Sequence, residues 1–206
     1  MHSVPLSAGD GVHAAGLALA HCPSLNGIGN KPLECGLLHR LDQGTSGILV
    51  FAKTQAEWVR LKGLWNTLKI QKVYRAQVAC KMGTEYLLEI PQTIKIPIGH
   101  SAKSEKRMIV IVDPSRLRSI RGKPQQAETR ILNCTKIANG LELQVRILTG
   151  VMHQIRCHLS ALGWPIIGDK TYGGQPAERL MLHSWKIQIP DSNGEAQEFE
   201  APLKWK

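Results

Sequence analysis

The stretch His39-Arg40-Leu41-Asp42-Gln43-Gly44-Thr45-Ser46-Gly47 sets an imidazole, a guanidinium and a carboxylate just ahead of a glycine-containing turn and an apolar run. A carboxylate on irregular backbone beside a rigid strand is well placed to face a cleft. There its ionised oxygen can attack an electrophilic carbon. The same residues also suit an Asx-type turn in which Arg40 pairs with Asp42 at the surface. On residue types alone both readings stand, and the turn is the commoner use of such a sequence.

The flanking elements bear on that choice. From Ser46 the run SGILVFAK is apolar and β-branched enough to be a buried strand. The next segment, TQAEWVRLKGLWNTLKI, predicts a helix: Thr54 and Glu57 form a capping box, and Trp58, Leu61, Trp65 and Leu68 recur at helical spacing. KVYRAQVAC alternates, with Tyr74, Ala76 and Val78 on one strand face. RMIVIVD and ETRILNC read as strands separated by a basic Gly/Pro-containing segment, and LELQVRIL as a half-buried antiparallel strand. HQIRCHLSALG predicts a helix with the stripe Ile155, Leu159 and Leu162, closed by Gly163. RLMLHSWKIQI and EFEAPL supply the last strands, and GLALA suits a short helix near the start. Strands joined mainly by short turns give an α+β class with a mainly antiparallel mixed sheet, flanking helices and a central cleft.

Lys and Arg number 26 against 16 Asp and Glu, a formal charge of +10. That excess suits a polyanionic partner as well as it suits a solvated basic surface. The basic residues outside the elements crowd HSAKSEKR (Lys103, Lys106, Arg107) and SRLRSIRGK (Arg116, Arg118, Arg121, Lys123). The five cysteines, Cys22, Cys35, Cys80, Cys134 and Cys157, lack metal-ligand spacing and fit small core residues in a reducing cytosol. No signal-peptide pattern and no run of ~20 apolar residues is present, so the expectation is a cytoplasmic protein without a membrane span.

HRLDQGTSGILVFAK resembles the catalytic motif of the RluA-type RNA pseudouridine synthases, written HRLDxxTSG before a hydrophobic strand. KVYRAQV resembles the family's Lys-x-Tyr-x-Ala motif, LTGVMHQIRCHLSALGWPIIGDKTYGG its THQIRxHL…GDxxYG motif, and RLMLHSWKI with EFEAPL its closing strands. Four motifs in order cover residues from about Asn30 to Leu203, a specific signal.

The resemblance implies the pseudouridine synthase fold and isomerisation of uridine in a structured ribosomal or transfer RNA stem-loop, with no cofactor and no metal. It implies that Asp42 is the essential aspartate, that Arg156 faces it, and that Tyr74 stacks against a flipped base. Arg40 then fills the gap left by the extruded nucleotide, a fit for a planar cation that can stack. His39, His153 and His183 act as hydrogen-bonding scaffold, Leu182 as an apolar pocket wall or core residue, and Lys103, Lys106 and Arg107 as phosphate contacts or solvated loop. The expected state is a monomer with one catalytic domain over residues 1–206.

Two departures stand out. Val151-Met152 replaces the usual Arg-Thr, and Asn30-Lys31-Pro32 resembles a family turn but lies too close to Asp42. The second suggests a domain lacking its first strand and any separate N-terminal RNA-binding module, with residues 1 to about 20 weakly anchored and a sheet edge unpaired. The alternatives are a non-catalytic RNA-binding protein that keeps the fold, and a glycosidic hydrolase. The latter needs a second carboxylate, for which Asp169 is the candidate, although GDKTYGG reads as turn chemistry.

Overall fold

The computed structural model describes residues 3, 12–31, 33–65, 67–79, 90–203 and 205; Pro32 and Cys80 lie outside them. The elements are, in order, α1 (Ala14–His21), β1 (Ser46–Gly47), α2 (Gln55–Leu64), β2 (Gln71–Val78), β3 (Gln92–Lys95), β4 (Ile98–Ser101), β5 (Met108–Val110), β6 (Ile120–Gln125), β7 (Glu128–Ile137), β8 (Gly140–Ile147), α3 (Gln154–Ala161), β9 (Leu182–Pro190) and β10 (Ala196–Glu200). Seven strands form one sheet in the order β1-β9-β2-β8-β7-β3, with β10 also on β9. The β1–β9 pairing is parallel and the other pairings in this sheet are antiparallel. β5, β4 and β6 make a separate antiparallel sheet. This is the α+β arrangement expected from the strand-rich pattern. Among the described residues, no helix is long and apolar enough to cross a membrane.

The core follows from strict alternation. β2 and β8 bury every second residue, and Tyr74, Ala76 and Val78 stand opposite Val145, Leu143 and Leu141. Ile155 and Leu159 of α3 join this cluster. A second cluster sets Trp58 and Leu61 of α2 against Ile187 and Ile189 of β9, with Ala15 of α1. The Thr54 hydroxyl accepts from the Glu57 N–H at 3.2 Å, capping α2 as its sequence indicates.

Four expectations need correction. The apolar run from Ser46 is a strand only at Ser46–Gly47, because Gly47 has φ +108 and divides the pairing. Ile48 still bonds to Ser184 of β9, whereas the backbone of Val50 and Ala52 turns to Leu38 and Gly36. Leu68 lies beyond the end of α2 and is exposed, so the buried stripe stops at Trp65. The basic segment is not all loop, since β6 runs through it. At the start of the chain residues 1, 2 and 4–11 lie outside the described residues, and the rest are anchored in part: Ala15 is fully buried and Ser3 bonds through its hydroxyl to the Leu41 N–H and C=O, whereas Val12 and Leu17 are exposed.

Candidate active site

Asp42 stands on the irregular stretch between residues 38 and 45, whose backbone is fixed at several points. The Leu38 N–H donates to Val50 O at 3.0 Å, Leu41 N–H to Ser3 Oγ at 3.1 Å, and Thr45 N–H to Asp42 O at 2.9 Å. Across from it, the start of α3 is set by Gln154. Its carboxamide oxygen accepts from Thr149 Oγ1 and the Val151 N–H, and its nitrogen donates to Glu128 O and Thr129 Oγ1. With every polar atom engaged, this buried amide fixes the helix register two residues before Arg156.

Arg156 is buried and serves two carboxylates. Its Nε and Nη2 donate to Asp169 Oδ2 and Oδ1 at 2.7 and 2.9 Å, and its Nη1 to Asp42 Oδ2 at 3.3 Å. Burial alone would lower the guanidinium pKa, but Asp169 and then Asp42 outweigh it and hold the pKa above its ordinary value. Asp169 is fully buried at its side chain and also accepts from the N–H groups of Thr171 and Tyr172 through Oδ1. Buried, committed to Arg156 and absent from the cleft lining, it is not placed to activate a water there, which removes the second carboxylate of the hydrolase reading. The turn role anticipated for Asp169 is present; its clamp on Arg156 has no signal in the sequence.

Asp42, Gln154 and Arg156 line one cleft of about 810 Å³. Tyr74 and Leu182 form apolar walls, and His39, Arg40 and Lys106 also line it. Tyr74 is held protonated, because burial pushes its phenol up to about 12, with a hydrogen bond to Ser184 opposing and Asp42 adding to the shift. Arg40 is exposed, and Asp42 pairs with Arg156 rather than with it, which sets aside the Arg40–Asp42 surface pair. Lys103 and Arg107 fall outside the lining; Arg107 lies over the Tyr172 ring instead, 5.6 Å from its centroid. Glu105 lines the rim but is exposed and paired with Arg121 at 3.3 Å.

Sequence reasoning also misses Lys72 and Trp65. Lys72 is buried on the Tyr74 face of β2 with its ammonium 5.7 Å from the centre of the Trp65 ring. Strand alternation is the available signal: Lys72 is two residues before Tyr74. His39 also stacks on Trp65, with centroids 4.7 Å apart, and burial together with the charges of Lys72 and Lys62 lowers its pKa to about 3.

The family model described as RNA pseudouridylate synthase matches residues 22–161, which include Asp42, Tyr74 and Arg156. The chain belongs to this family. An "Uncharacterized RNA pseudouridine synthase" of Chloroflexus aurantiacus is 34% identical over 90% of the chain and 54% of that protein. The "Ribosomal large subunit pseudouridine synthase C" of Vibrio cholerae is 31% identical over 95% of the chain and 61% of that protein. The chain thus spans little more than half the length of these curated relatives. The solved structure of human RNA pseudouridylate synthase domain containing 1 matches 98% of the chain and 84% of its own with a TM-score of 0.70. At 23% identity that likeness establishes the pseudouridine synthase fold alone.

Proposed function

We propose that this member of the RNA pseudouridylate synthase family isomerises uridine to pseudouridine in ribosomal RNA, with Asp42 as the reacting carboxylate. The observation that carries the reading is the clamped Arg156 on Asp42 Oδ2, in a cleft whose wall is the Tyr74 ring. The reaction breaks the N1–C1′ bond, forms a C5–C1′ bond, releases the C5 proton and protonates N1. No electrons are exchanged. Each route open to a carboxylate, attack or proton transfer, needs an available oxygen lone pair. Among the described residues, Asp42 Oδ1 has no hydrogen-bond partner, whereas Oδ2 faces Arg156 and His153.

Tyr74 offers a face on which a flipped base can stack, and Arg40 at the rim suits the gap the base leaves behind. Lys106 at the cleft, with Lys103 and Arg107 near it in sequence, would meet backbone phosphates. Ribosomal RNA is favoured over transfer RNA by the names of relatives such as the Vibrio cholerae protein. Residues 1–206 act in this reading as one catalytic domain, monomeric and cytoplasmic.

The test is tritium release from ribosomal RNA transcripts carrying 5-tritiated uridine, run beside a binding curve. Asp42→Asn keeps size and polarity but loses the ionised oxygen, so turnover should fall by at least about 1000-fold while RNA binding persists. Substantial turnover by that variant would remove Asp42 from the chemistry. Wild-type protein that binds the transcripts without releasing tritium would favour a fold kept for RNA binding alone.

A further inference from the structure

His153 precedes α3 in left-handed backbone, φ +54 and ψ +20. Residues with a side chain seldom adopt that conformation, and where they do a functional constraint is a common reason. Its side chain makes no capping bond to the helix and lines the cleft instead. There Nδ1 lies 3.0 Å from the Tyr172 hydroxyl, and the two rings meet edge-on with centroids 5.6 Å apart. The other ring nitrogen, Nε2, is 3.9 Å from Asp42 Oδ2.

The buried hydroxyl decides which way the proton points. The Met108 N–H donates to the Tyr172 oxygen at 2.9 Å, so the phenol still has its own proton to place. The acceptor the structure gives it is His153 Nδ1. His153 is then the tautomer with the proton on Nε2, the ring nitrogen on the Asp42 side. The opposite arrangement, Nδ1 donating, leaves a buried O–H without an acceptor, which native interiors avoid. Burial holds the His153 pKa below its ordinary value, opposed by Asp42 and assisted by Arg156, with Asp169 opposing more weakly. Burial likewise lifts the Tyr172 phenol, so both groups stay neutral near pH 7.

We propose that His153 is a positioning residue for Asp42: its Nε2–H, set by Tyr172 and 3.9 Å from Oδ2, favours that oxygen electrostatically beside the Arg156 hydrogen bond and leaves Oδ1 as the oxygen presented to the nucleotide. This rests on the reading of Asp42 as the reacting carboxylate. A neutral donor orients the carboxylate without adding a second cation, which would make its oxygen less basic. The two donors come from one turn of chain, His153 just before α3 and Arg156 within it, so one backbone arrangement sets both.

Two measurements test this separately. In protein labelled with 15N-histidine, long-range 1H–15N correlation spectra read the tautomer without RNA, with His153 assigned by its loss in His153→Gly. A bare Nδ1 and a protonated Nε2 are expected, giving way to tautomer averaging in Tyr172→Phe. A protonated Nδ1 in the wild-type protein overturns the proposal, whatever the protein does to RNA. The second measurement is single-turnover kinetics on 5-tritiated ribosomal RNA with a parallel binding curve. His153→Gly keeps the left-handed backbone at no steric cost. Its rate constant should fall about 10- to 100-fold, the effect of a misplaced reacting group, with RNA affinity unchanged. His153→Asn tolerates the same backbone, carries an N–H and should recover part of the rate. A His153→Gly rate equal to wild type, or a loss confined to affinity, overturns the proposal. An inactive wild-type protein would refute the function itself and the role with it, while the tautomer measurement would still report whether the Tyr172–His153 arrangement exists.

Discussion

Arg156 reaches Asp42 through a single nitrogen, Nη1 at 3.3 Å, because Nε and Nη2 are both committed to Asp169 at 2.7 and 2.9 Å. The position of the cation is therefore set from behind. Asp169 is itself held by the N–H groups of Thr171 and Tyr172, so the turn after α3 fixes the guanidinium, and the guanidinium approaches one oxygen of Asp42. A planar fork that is bidentate on one side cannot swing, and its remaining N–H comes to the cleft preoriented.

Asp169→Asn should therefore harm both stability and turnover, although Asp169 does not line the cleft. Removing one partner of a buried ion pair leaves a buried charge under-compensated, at a cost of about 3 kcal/mol. Urea unfolding reads that loss. Turnover of the folded fraction should drop about 100-fold, because Arg156 is free to move relative to Asp42. A variant with the wild-type urea midpoint would mean that the clamp contributes little.

The residues that meet in the cleft are legible because each is carried by a local motif; their supports are not. Asp42, Tyr74 and Arg156 come together where the motifs place them. Asp169 acts across α3 and the following turn, and nothing in the local string GDKTY reveals which side chain will fill its oxygens. β6 escapes notice for the opposite reason. Its sequence IRGKPQ contains Gly and Pro and is mostly exposed, so no apolar alternation marks it as a strand. The run after Ser46 is easily over-read because apolar composition reports burial and says nothing of the φ at Gly47.

Gly47 and Gly63 should respond oppositely to alanine. A Cβ at Gly47 would lie 2.1 Å from Ser184 O on a backbone with φ +108. Gly47→Ala should cost at least about 2 kcal/mol and loosen the β1–β9 contact that follows the Asp42 loop. Gly63 lies inside α2, where a Cβ would meet nothing within 4 Å. Gly63→Ala should stabilise by about 0.5–1 kcal/mol through helix propensity. Thermal or urea melts of the two variants against wild type check the signs.

His39 should contribute to acid sensitivity. Its folded pKa is about 3 against an ordinary 6.5, from burial first and then the charges of Lys72 and Lys62. Between those values the unfolded chain binds a proton that the folded protein excludes, so stability falls as the pH drops from about 6.5 towards 3. The loss due to His39 should reach about 2–3 kcal/mol by pH 4, less than full burial would give because the residue is partly exposed. His39→Phe keeps a ring to stack on Trp65 and cannot titrate. Urea midpoints measured from pH 7.5 to pH 4 should decline less steeply in this variant; parallel curves would mean that His39 is protonated equally easily in both states.

Lys72 should show stability and function pulling apart. It is buried at the cleft, and burial lowers its pKa. No carboxylate pairs with it among the described residues, and its protein hydrogen bond, to Trp65 O, is long at 3.5 Å. An ammonium in that setting costs folding free energy, and replacing it with an apolar side chain of similar length removes the cost. Lys72→Met should therefore leave the urea midpoint at pH 7 unchanged or raise it. The same change removes donors facing the cleft that an RNA phosphate can use. Affinity for ribosomal RNA should fall about 10-fold, and the slope of log affinity against log salt should shrink by about one. Lys72→Arg separates charge from shape, since it keeps the cation but crowds the Trp65 wall with a larger head group. A Met variant that binds RNA with the wild-type salt dependence would show that the ammonium does not meet the nucleic acid, and a lower urea midpoint would show that its contacts with Trp65 outweigh the burial penalty.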